Sequence, residues 1–325
     1  MKKQIGKVFT ALLTITVMGS MAIVPASAEE SGKVIAYITR EMGDDAGQII
    51  VEKGVREGVE DAGCTYQLMT VNSINEVSEQ ADLIEQAIAM KVDGIIVNPN
   101  DGTTCLEAIK AATDAGIPVA TVDGSLDSGY EDYYVTQVAN DNAKAGKQAA
   151  EILTTLCPEG GKYICVRGVN GSVVLDTRTD CFKEGLEGSK WECVGDMNNE
   201  SSDNDGAMTV VENMLAAAAY DVDVIFVSAD SWFPGIAQAL EDADMTEQIK
   251  LVGIDASKVG LSYMESGLCI GEAQVNLGAC GGMAAEIVCS IAKGDTTAED
   301  YEPVTIVDTS IVYEEDIETA YEIAF

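Results

Sequence analysis

The sequence contains no histidine among its 325 residues. A Ser-His-Asp triad, a Cys-His pair and an imidazole metal site each need a histidine, so all three are excluded. Basic residues are also few, with 19 Lys and Arg against 55 Asp and Glu, which gives a formal net charge of −36. This negative field repels phosphate backbones and anionic lipid surfaces, and it predicts no nucleic-acid partner.

The first 28 residues have the pattern of a secretory signal peptide. A basic start with Lys2 and Lys3 leads into the mostly apolar run Val8–Val24, followed by the small residues Ala26-Ser27-Ala28. This order predicts export to the periplasm or the cell surface, with cleavage near Ala28. The alternative, an uncleaved membrane anchor, is disfavoured because the run is short and no basic flank follows it.

The chain has nine cysteines, at positions 64, 105, 157, 165, 181, 193, 269, 280 and 289, and none forms a close CxxC pair. One interpretation is a set of disulfides or soft metal ligands. The other, which we favour, is that most are small buried hydrophobic residues, because they occur where a helix or strand places such a residue. We therefore predict no metal site.

From residue 33 onward, short apolar runs alternate with amphipathic runs of helical length. Near-continuous apolar strands joined by helices predict a parallel sheet covered on both faces. The order then repeats, since Val92–Val97 is matched by Val222–Val227, and Asp123 and Asp255 each stand directly after an apolar strand. The predicted fold class is α/β, with two doubly wound parallel-sheet lobes in tandem.

This organisation predicts where a ligand binds. Ligands of open parallel sheets lie beyond the carboxyl ends of the strands. Two such sheets facing one another would form a cleft between the lobes, and every loop that follows a strand becomes a candidate contact.

Four motifs resemble ribose-binding-protein-like, type I periplasmic binding proteins of the sugar type. They are residues 138–150, residues 91–99, the Arg-x-x-x-Phe pattern of Arg178–Phe182, and Leu251–Asp255. The resemblance extends in order from residue 33 to about residue 312, which makes it specific as a whole. It implies a solute-binding protein that captures a small polar ligand and delivers it to an ABC permease.

The resemblance also implies a domain organisation. After a signal peptide of residues 1–28, residues 33–138 and 275–305 would form the N-terminal lobe. Residues 139–274 and 306–325 would form the C-terminal lobe. Three crossovers would join the lobes as a hinge.

Five positions match ligand contacts of the family, namely Asp45, Asp123, Arg178, Asp255 and Gln274. An ionised Asp accepts hydrogen bonds from several hydroxyl groups, while Arg offers a rigid fork of donors. Alternatives from the residues alone remain. Asp123 and Asp255 could cap following helices, and Arg178 could be a surface residue paired with Asp176 or Asp180.

The sequence departs from the family where aromatic rings are expected to stack on a sugar. Ala46 and Gly47 occupy the first loop, and Trp232 is one of two rings beside a second-lobe loop. Trp232 either stacks on the ligand or packs the lobe. We therefore predict a monosaccharide or a polyol, with an amino sugar or another cationic small molecule as the alternative.

Three function classes compete. A sensory binding protein that presents its ligand to a receptor would have the same fold and site as a transport protein. An enzyme is disfavoured because histidine, a nucleophile elbow and a cofactor fingerprint are missing, so no cofactor is predicted. We expect a monomer.

Overall fold

The computed structural model describes residues 32–40, 42, 46–72, 77–124 and 126–325. The predicted signal peptide and the predicted contact Asp45 therefore lie outside the described residues.

Strands and helices alternate along the described chain. The strands are β1 (Val34–Thr39), β2 (Thr65–Thr70), β3 (Gly94–Val97), β4 (Val119–Val122), β5 (Thr136–Asn140), β6 (Gly161–Arg167), β7 (Trp191–Asn198), β8 (Val224–Val227), β9 (Lys250–Asp255), β10 (Cys269–Gln274), β11 (Val304–Val307) and β12 (Ser310–Val312). The α-helices are α1 (Ala46–Asp61), α2 (Val77–Met90), α3 (Leu106–Asp114), α4 (Asn142–Leu156), α5 (Val173–Gly185), α6 (Asn204–Ala217), α7 (Phe233–Asp242), α8 (Lys258–Glu265), α9 (Leu277–Lys293) and α10 (Ile317–Ala320).

The strands form two six-stranded sheets, and each sheet defines a lobe. The first lobe has the strand order β11-β5-β4-β3-β1-β2, and the second has the order β12-β10-β9-β8-β6-β7. All pairings are parallel except that of β12, which runs antiparallel to β10 at the edge of the second sheet. The predicted fold class, two parallel-sheet α/β lobes, is confirmed.

The central strands are apolar because helices cover both faces of each sheet. Every residue of β3, β4 and β8 is buried, and so are five of the six residues of β1. A strand buried on both faces has no polar side to present to water, so it has a continuous apolar run instead of an alternating pattern. Polar residues can therefore follow these strands directly, at their carboxyl ends.

The chain crosses between the sheets three times. It leaves the first sheet after Asn140, returns to it after Gln274, and leaves it again after Val307. The predicted boundaries after residues 138 and 305 thus fall within β5 and β11, two residues before the ends of these strands.

Side-chain hydrogen bonds tie the three crossings together. Asn140 Oδ1 accepts a hydrogen bond of 2.9 Å from the Asn276 backbone N–H, joining the first crossing to the second. Thr309 Oγ1 donates to Gln148 Oε1 over 2.7 Å, and Gln148 Nε2 donates back to the Thr309 carbonyl over 3.1 Å. The third crossing is therefore fixed to α4, close to the start of the second lobe.

The cysteines are free, and six of the nine are buried. Those six lie within the apolar clusters of the two lobes, as the second interpretation of the cysteines expects. Among the described residues, no group of three or more Cys, Asp or Glu side chains could hold a metal ion. In the same part of the chain, no helix is long and apolar enough to cross a membrane.

Glycines let α1 and α9 pack backbone against backbone in the first lobe. A Cβ atom added at Gly54 would lie 2.1 Å from the Gly278 carbonyl oxygen, whereas one added at Gly282 would lie 3.9 Å from the Gly54 carbonyl oxygen. The first distance is a steric clash and the second is an ordinary contact.

We expect Gly54→Ala to lower the free energy of unfolding by about 1–3 kcal/mol, the usual cost of overpacking. Gly282→Ala on the facing helix is the matched control. It should be neutral or stabilising, because alanine is favoured over glycine in a helix by about 0.5–1 kcal/mol. Urea unfolding of both variants measures the difference, and equal effects would contradict the close helix contact.

Candidate functional site

Asp123 is the centre of the polar group at the carboxyl edge of the first sheet. It directly follows β4, and its backbone has a φ of 64°, in the left-handed region. Its Oδ2 atom accepts three hydrogen bonds, from Arg40 Nη2 at 3.0 Å, Gln48 Nε2 at 3.2 Å and Asn98 Nδ2 at 3.3 Å. These three donors hold one carboxylate oxygen in a fixed position.

The same group leaves polar atoms available to a ligand. Asp123 Oδ1 accepts no hydrogen bond from any residue that the structure describes. The buried atoms Arg40 Nε and Asn98 Oδ1 likewise find no partner in the described part of the chain. Buried polar atoms are nearly always hydrogen-bonded in folded proteins, so these atoms could form hydrogen bonds to a polar ligand.

Arg178 is the centre of the corresponding group in the second lobe. Its side chain is 7% exposed, and Nη1 forms an ion pair of 2.8 Å with Asp255 Oδ1. Nη1 also donates to the Ser228 carbonyl at 2.9 Å, and Nε donates to Asn142 Oδ1 at 2.8 Å. Nη2 makes no hydrogen bond with a described residue, which leaves it free to donate to a ligand.

The packing of α5 explains why Arg178 lies here. A Cβ atom at Gly146 would lie 2.3 Å from the Arg178 carbonyl oxygen, so α4 and α5 are in close contact at this level. Phe182, one turn after Arg178, stacks on Phe226 of β8 with the ring centroids 4.0 Å apart. The Arg-x-x-x-Phe pattern therefore combines one packing residue with one polar residue on the inward face of the helix.

Asp255 and Asp123 lie close enough to influence one another across the two sheets. Burial raises the pKa of Asp255, the charge of Arg178 opposes this, and the charge of Asp123 raises it further. Since Asp123 follows a strand of the first sheet and Asp255 ends a strand of the second, the charge of Asp123 reaches Asp255 from the other lobe.

The helix-cap and surface alternatives do not describe these residues. The N-cap of α8 is Ser257, not Asp255, and Asp123 is followed by the loop to β5 and not by a helix. Asp176 and Asp180 pair with Arg167 instead of Arg178. The three residues Asp123, Arg178 and Asp255 thus share one region of the molecule.

A family model of the periplasmic binding protein domain matches residues 35–296. The chain belongs to this family. Its arrangement of two lobes and three crossings is that of the ribose-binding-like type I periplasmic binding proteins, which confirms the resemblance.

Similar proteins agree with this assignment. Ribose import binding protein RbsB of Bacillus subtilis is 27% identical over 219 residues, which cover 67% of this chain and 68% of that protein. A periplasmic ribose ABC transporter structure from Conexibacter woesei has a TM-score of 0.81 at 22% identity, covering 89% of this chain and 94% of that one. A Bacillus halodurans solute-binding protein with bound myo-inositol has a TM-score of 0.77 at 22% identity, covering 90% and 98%.

Two further predicted contacts of this periplasmic binding protein are held mainly by the second lobe. Gln274 ends β10 in register with Asp255, and its Nε2 donates to the Ala320 carbonyl at 2.9 Å. Trp232 is 5% exposed and lies in the apolar cluster of the second lobe. The packing interpretation of Trp232 thus describes its surroundings, and its stacking on a ligand stays a prediction.

Several site residues were not singled out from the sequence. Arg40, Asn98 and Ser228 each follow directly after a strand, so they lie in the loops that the strand-end rule marked as candidate contacts, although none of the three was named individually. Asn142 begins α4 and gave no comparable signal, because its contact with Arg178 depends on how α4 and α5 pack.

A buried carboxyl pair lies behind the Arg178–Asp255 ion pair. Asp230 and Glu272 are both 0% exposed. Burial and the charge of Asp255 raise the pKa of Asp230 to about 7, and burial together with the neighbouring Asp230 raises the pKa of Glu272 well above its usual range. Two adjacent carboxyl groups with such little access to water hold a proton at neutral pH more strongly than free ones.

This pair predicts how stability depends on pH. A raised pKa means that the folded protein binds more protons than the unfolded chain, so stability falls as the pH rises. We expect the free energy of unfolding to decrease from about pH 4.5 to above pH 7, by up to about 1.4 kcal/mol per pH unit for each proton involved. Urea unfolding across this range measures it.

The control for this prediction is Glu272→Gln, which removes the titrating carboxyl and should flatten the decrease. Glu265→Gln, on the exposed end of α8, should leave it unchanged. If wild type and Glu272→Gln have the same pH profile, the buried pair is not its source.

Proposed function

We propose that the protein is an extracytoplasmic solute-binding protein that holds a neutral polyhydroxylated ligand, a monosaccharide or a polyol, between its two lobes. The observation that carries this proposal is that each sheet has an ion pair at its carboxyl edge, Arg40–Asp123 in the first lobe and Arg178–Asp255 in the second. Each lobe contributes one carboxylate and one guanidinium to the same region.

The charges in this region favour a neutral ligand over a cation. Each carboxylate already has a guanidinium partner, at 3.0 Å in the first lobe and 2.8 Å in the second. The four groups together carry no net charge, so they offer an ammonium group no unpaired carboxylate. These pairings favour the monosaccharide or polyol over the amino-sugar alternative.

The unused hydrogen-bond donors and acceptors of the two groups suit a ligand with hydroxyl groups. Asp123 Oδ1 can accept a hydrogen bond, and Arg178 Nη2 can donate two. A hydroxyl group is both a donor and an acceptor, so adjacent hydroxyls can satisfy both sides of the cleft at once. A ligand without a hydroxyl at the right position leaves a buried group unpaired, at about 1–3 kcal/mol each.

The relatives support a role in transport. They include a ribose import binding protein and ABC transporter solute-binding proteins, and one of the structures holds myo-inositol. We therefore propose an ABC permease as partner, with hinge closure on the ligand as the signal that the permease recognises. Export after removal of residues 1–28 and a monomeric state are part of this proposal, and a receptor remains the alternative partner.

A ligand screen tests the neutral-ligand proposal. We expect at least one of D-ribose, D-xylose, D-allose and myo-inositol to raise the melting temperature, because a ligand that binds the folded state stabilises it by mass action. Glucosamine and spermidine should cause no comparable shift. A shift with a cationic compound and none with the neutral ones would contradict the proposal.

Arg178→Lys tests the second-lobe group while keeping its charge. Lysine cannot reproduce the planar fork that reaches Asp255, Ser228 and the ligand. We expect the affinity for the sugar found in the screen to fall about tenfold or more, equivalent to about 1.4 kcal/mol, in isothermal titration calorimetry. Arg56→Lys is the control, since Arg56 pairs with Glu52 on the surface of α1, and it should not change the affinity.

A further inference from the structure

The backbone that carries Asp255 has an unfavourable conformation. Asp255 has a φ of 122° and Ala256 a φ of 47°, and neither residue is a glycine. Such conformations are energetically costly and persist only where the surroundings enforce them. The direction of the Asp255 side chain follows from this turn, so whatever holds the turn also positions the ion pair with Arg178.

Two buried carboxyl groups hold the turn through hydrogen bonds. Glu272 Oε2 accepts from the Ala256 backbone N–H at 2.7 Å. Asp230 Oδ2 accepts from the Ser257 backbone N–H at 2.7 Å, and Asp230 Oδ1 accepts from the Ser257 hydroxyl at 2.7 Å. Two successive backbone N–H groups are therefore anchored by side chains from two other parts of the lobe.

A missing side chain makes room for this arrangement. A Cβ atom at Gly260 would lie 2.2 Å from Asp230 Oδ2 and 2.3 Å from Glu272 Oε1. The two carboxyl groups thus converge on the same point of α8. Side by side and out of contact with water, they cannot both be ionised without strong repulsion, and a single shared proton turns that repulsion into a hydrogen bond.

Other titratable groups face this pair. Asp255 on β9 raises the electrostatic cost of ionising it, and Arg178 of α5 forms an ion pair with Asp255. Cys269 on β10 places Sγ 3.7 Å from Glu272 Oε1. No ion pair links Asp230 or Glu272 to a basic side chain within the described ranges, so the proton is the means of neutralising them.

We propose that Asp230 and Glu272 are positioning residues for ligand binding, and that they share one proton to hold the 255–257 turn so that Asp255 meets Arg178 and the ligand. The ligand part of this inference rests on the proposed function. The structural part, the anchoring of the turn, does not.

The test compares Glu272→Leu with Glu272→Gln. Glutamine has the shape of a protonated glutamate, since it can accept from the Ala256 N–H and donate to Asp230. Leucine can do neither. By calorimetry with D-ribose, D-xylose and myo-inositol as probes, we expect Glu272→Leu to bind about tenfold more weakly or worse, and Glu272→Gln to stay within about threefold of wild type.

A pH profile adds a readout that simple misfolding would not give. Wild-type affinity should decline above neutral pH, as the shared proton is lost, and the Glu272→Gln affinity should not. If Glu272→Gln binds as weakly as Glu272→Leu, the claim that Asp230 and Glu272 share one proton is wrong. If Glu272→Leu binds as tightly as wild type, the positioning role is wrong.

Amide hydrogen exchange of Ala256 in the ligand-free protein separates this inference from the proposed function. We expect strong protection in wild type and Glu272→Gln, and faster exchange in Glu272→Leu. If no probe sugar binds but this pattern appears, the proposed function fails and the anchored turn stands. If Glu272→Leu does not fold, the exchange rate of the Ala256 amide in Glu272→Gln still tests the proposal. An anchor that had to be ionised would be lost in Glu272→Gln, and the amide would then exchange faster than in wild type.

Discussion

The buried ion pair between Arg178 and Asp255 is the interaction on which the candidate site depends. Its side chains are 7% and 12% exposed, and the guanidinium also binds the Ser228 carbonyl and Asn142. One side chain thereby fixes α4, α5 and the ends of β8 and β9 relative to one another. Removing one partner of a buried pair typically costs about 3–5 kcal/mol, because the other charge stays behind without compensation. The group therefore serves the stability of the lobe as well as recognition.

In the first lobe a different set of residues holds the carboxylate at the carboxyl edge of the sheet. Asp123 has the position of Asp255 in its own sheet, but its partners are Arg40, Gln48 and Asn98. The coarse repeat of the sequence thus extends to the charge pattern, one carboxylate and one guanidinium in each lobe, although the residues that build it are not equivalent. Each ion pair lies within one lobe, so neither of them joins unlike charges across the two lobes.

The sequence was informative where a residue's position along a strand determines its surroundings. Apolar strands predicted both sheets, and the residues after them included Asp123 and Asp255, since carboxyl ends of parallel strands share one edge. Partner choice was harder to predict. Arg178 could have paired with Asp176 or Asp180, and only the packing of α5, with Arg167 occupying those two, decides against it. The three crossings left no compositional signal, because what holds them is a small number of hydrogen bonds between residues far apart in the sequence, such as Asn140 and Asn276.

Glu272 is an acidic residue within an apolar strand, and the sequence alone gave no reason for it. An acidic residue in the middle of the buried strand β10, where five of six positions are buried, contradicts the local pattern. Natural proteins violate such rules mainly where function or strain requires it. Here the strain is close by, in the Asp255–Ala256 turn, where both residues have a positive φ and the Ala256 backbone N–H donates to Glu272. A buried glutamate costs the fold free energy, and here it offsets another cost, because without Glu272 the buried Ala256 backbone N–H would lose its hydrogen-bond acceptor.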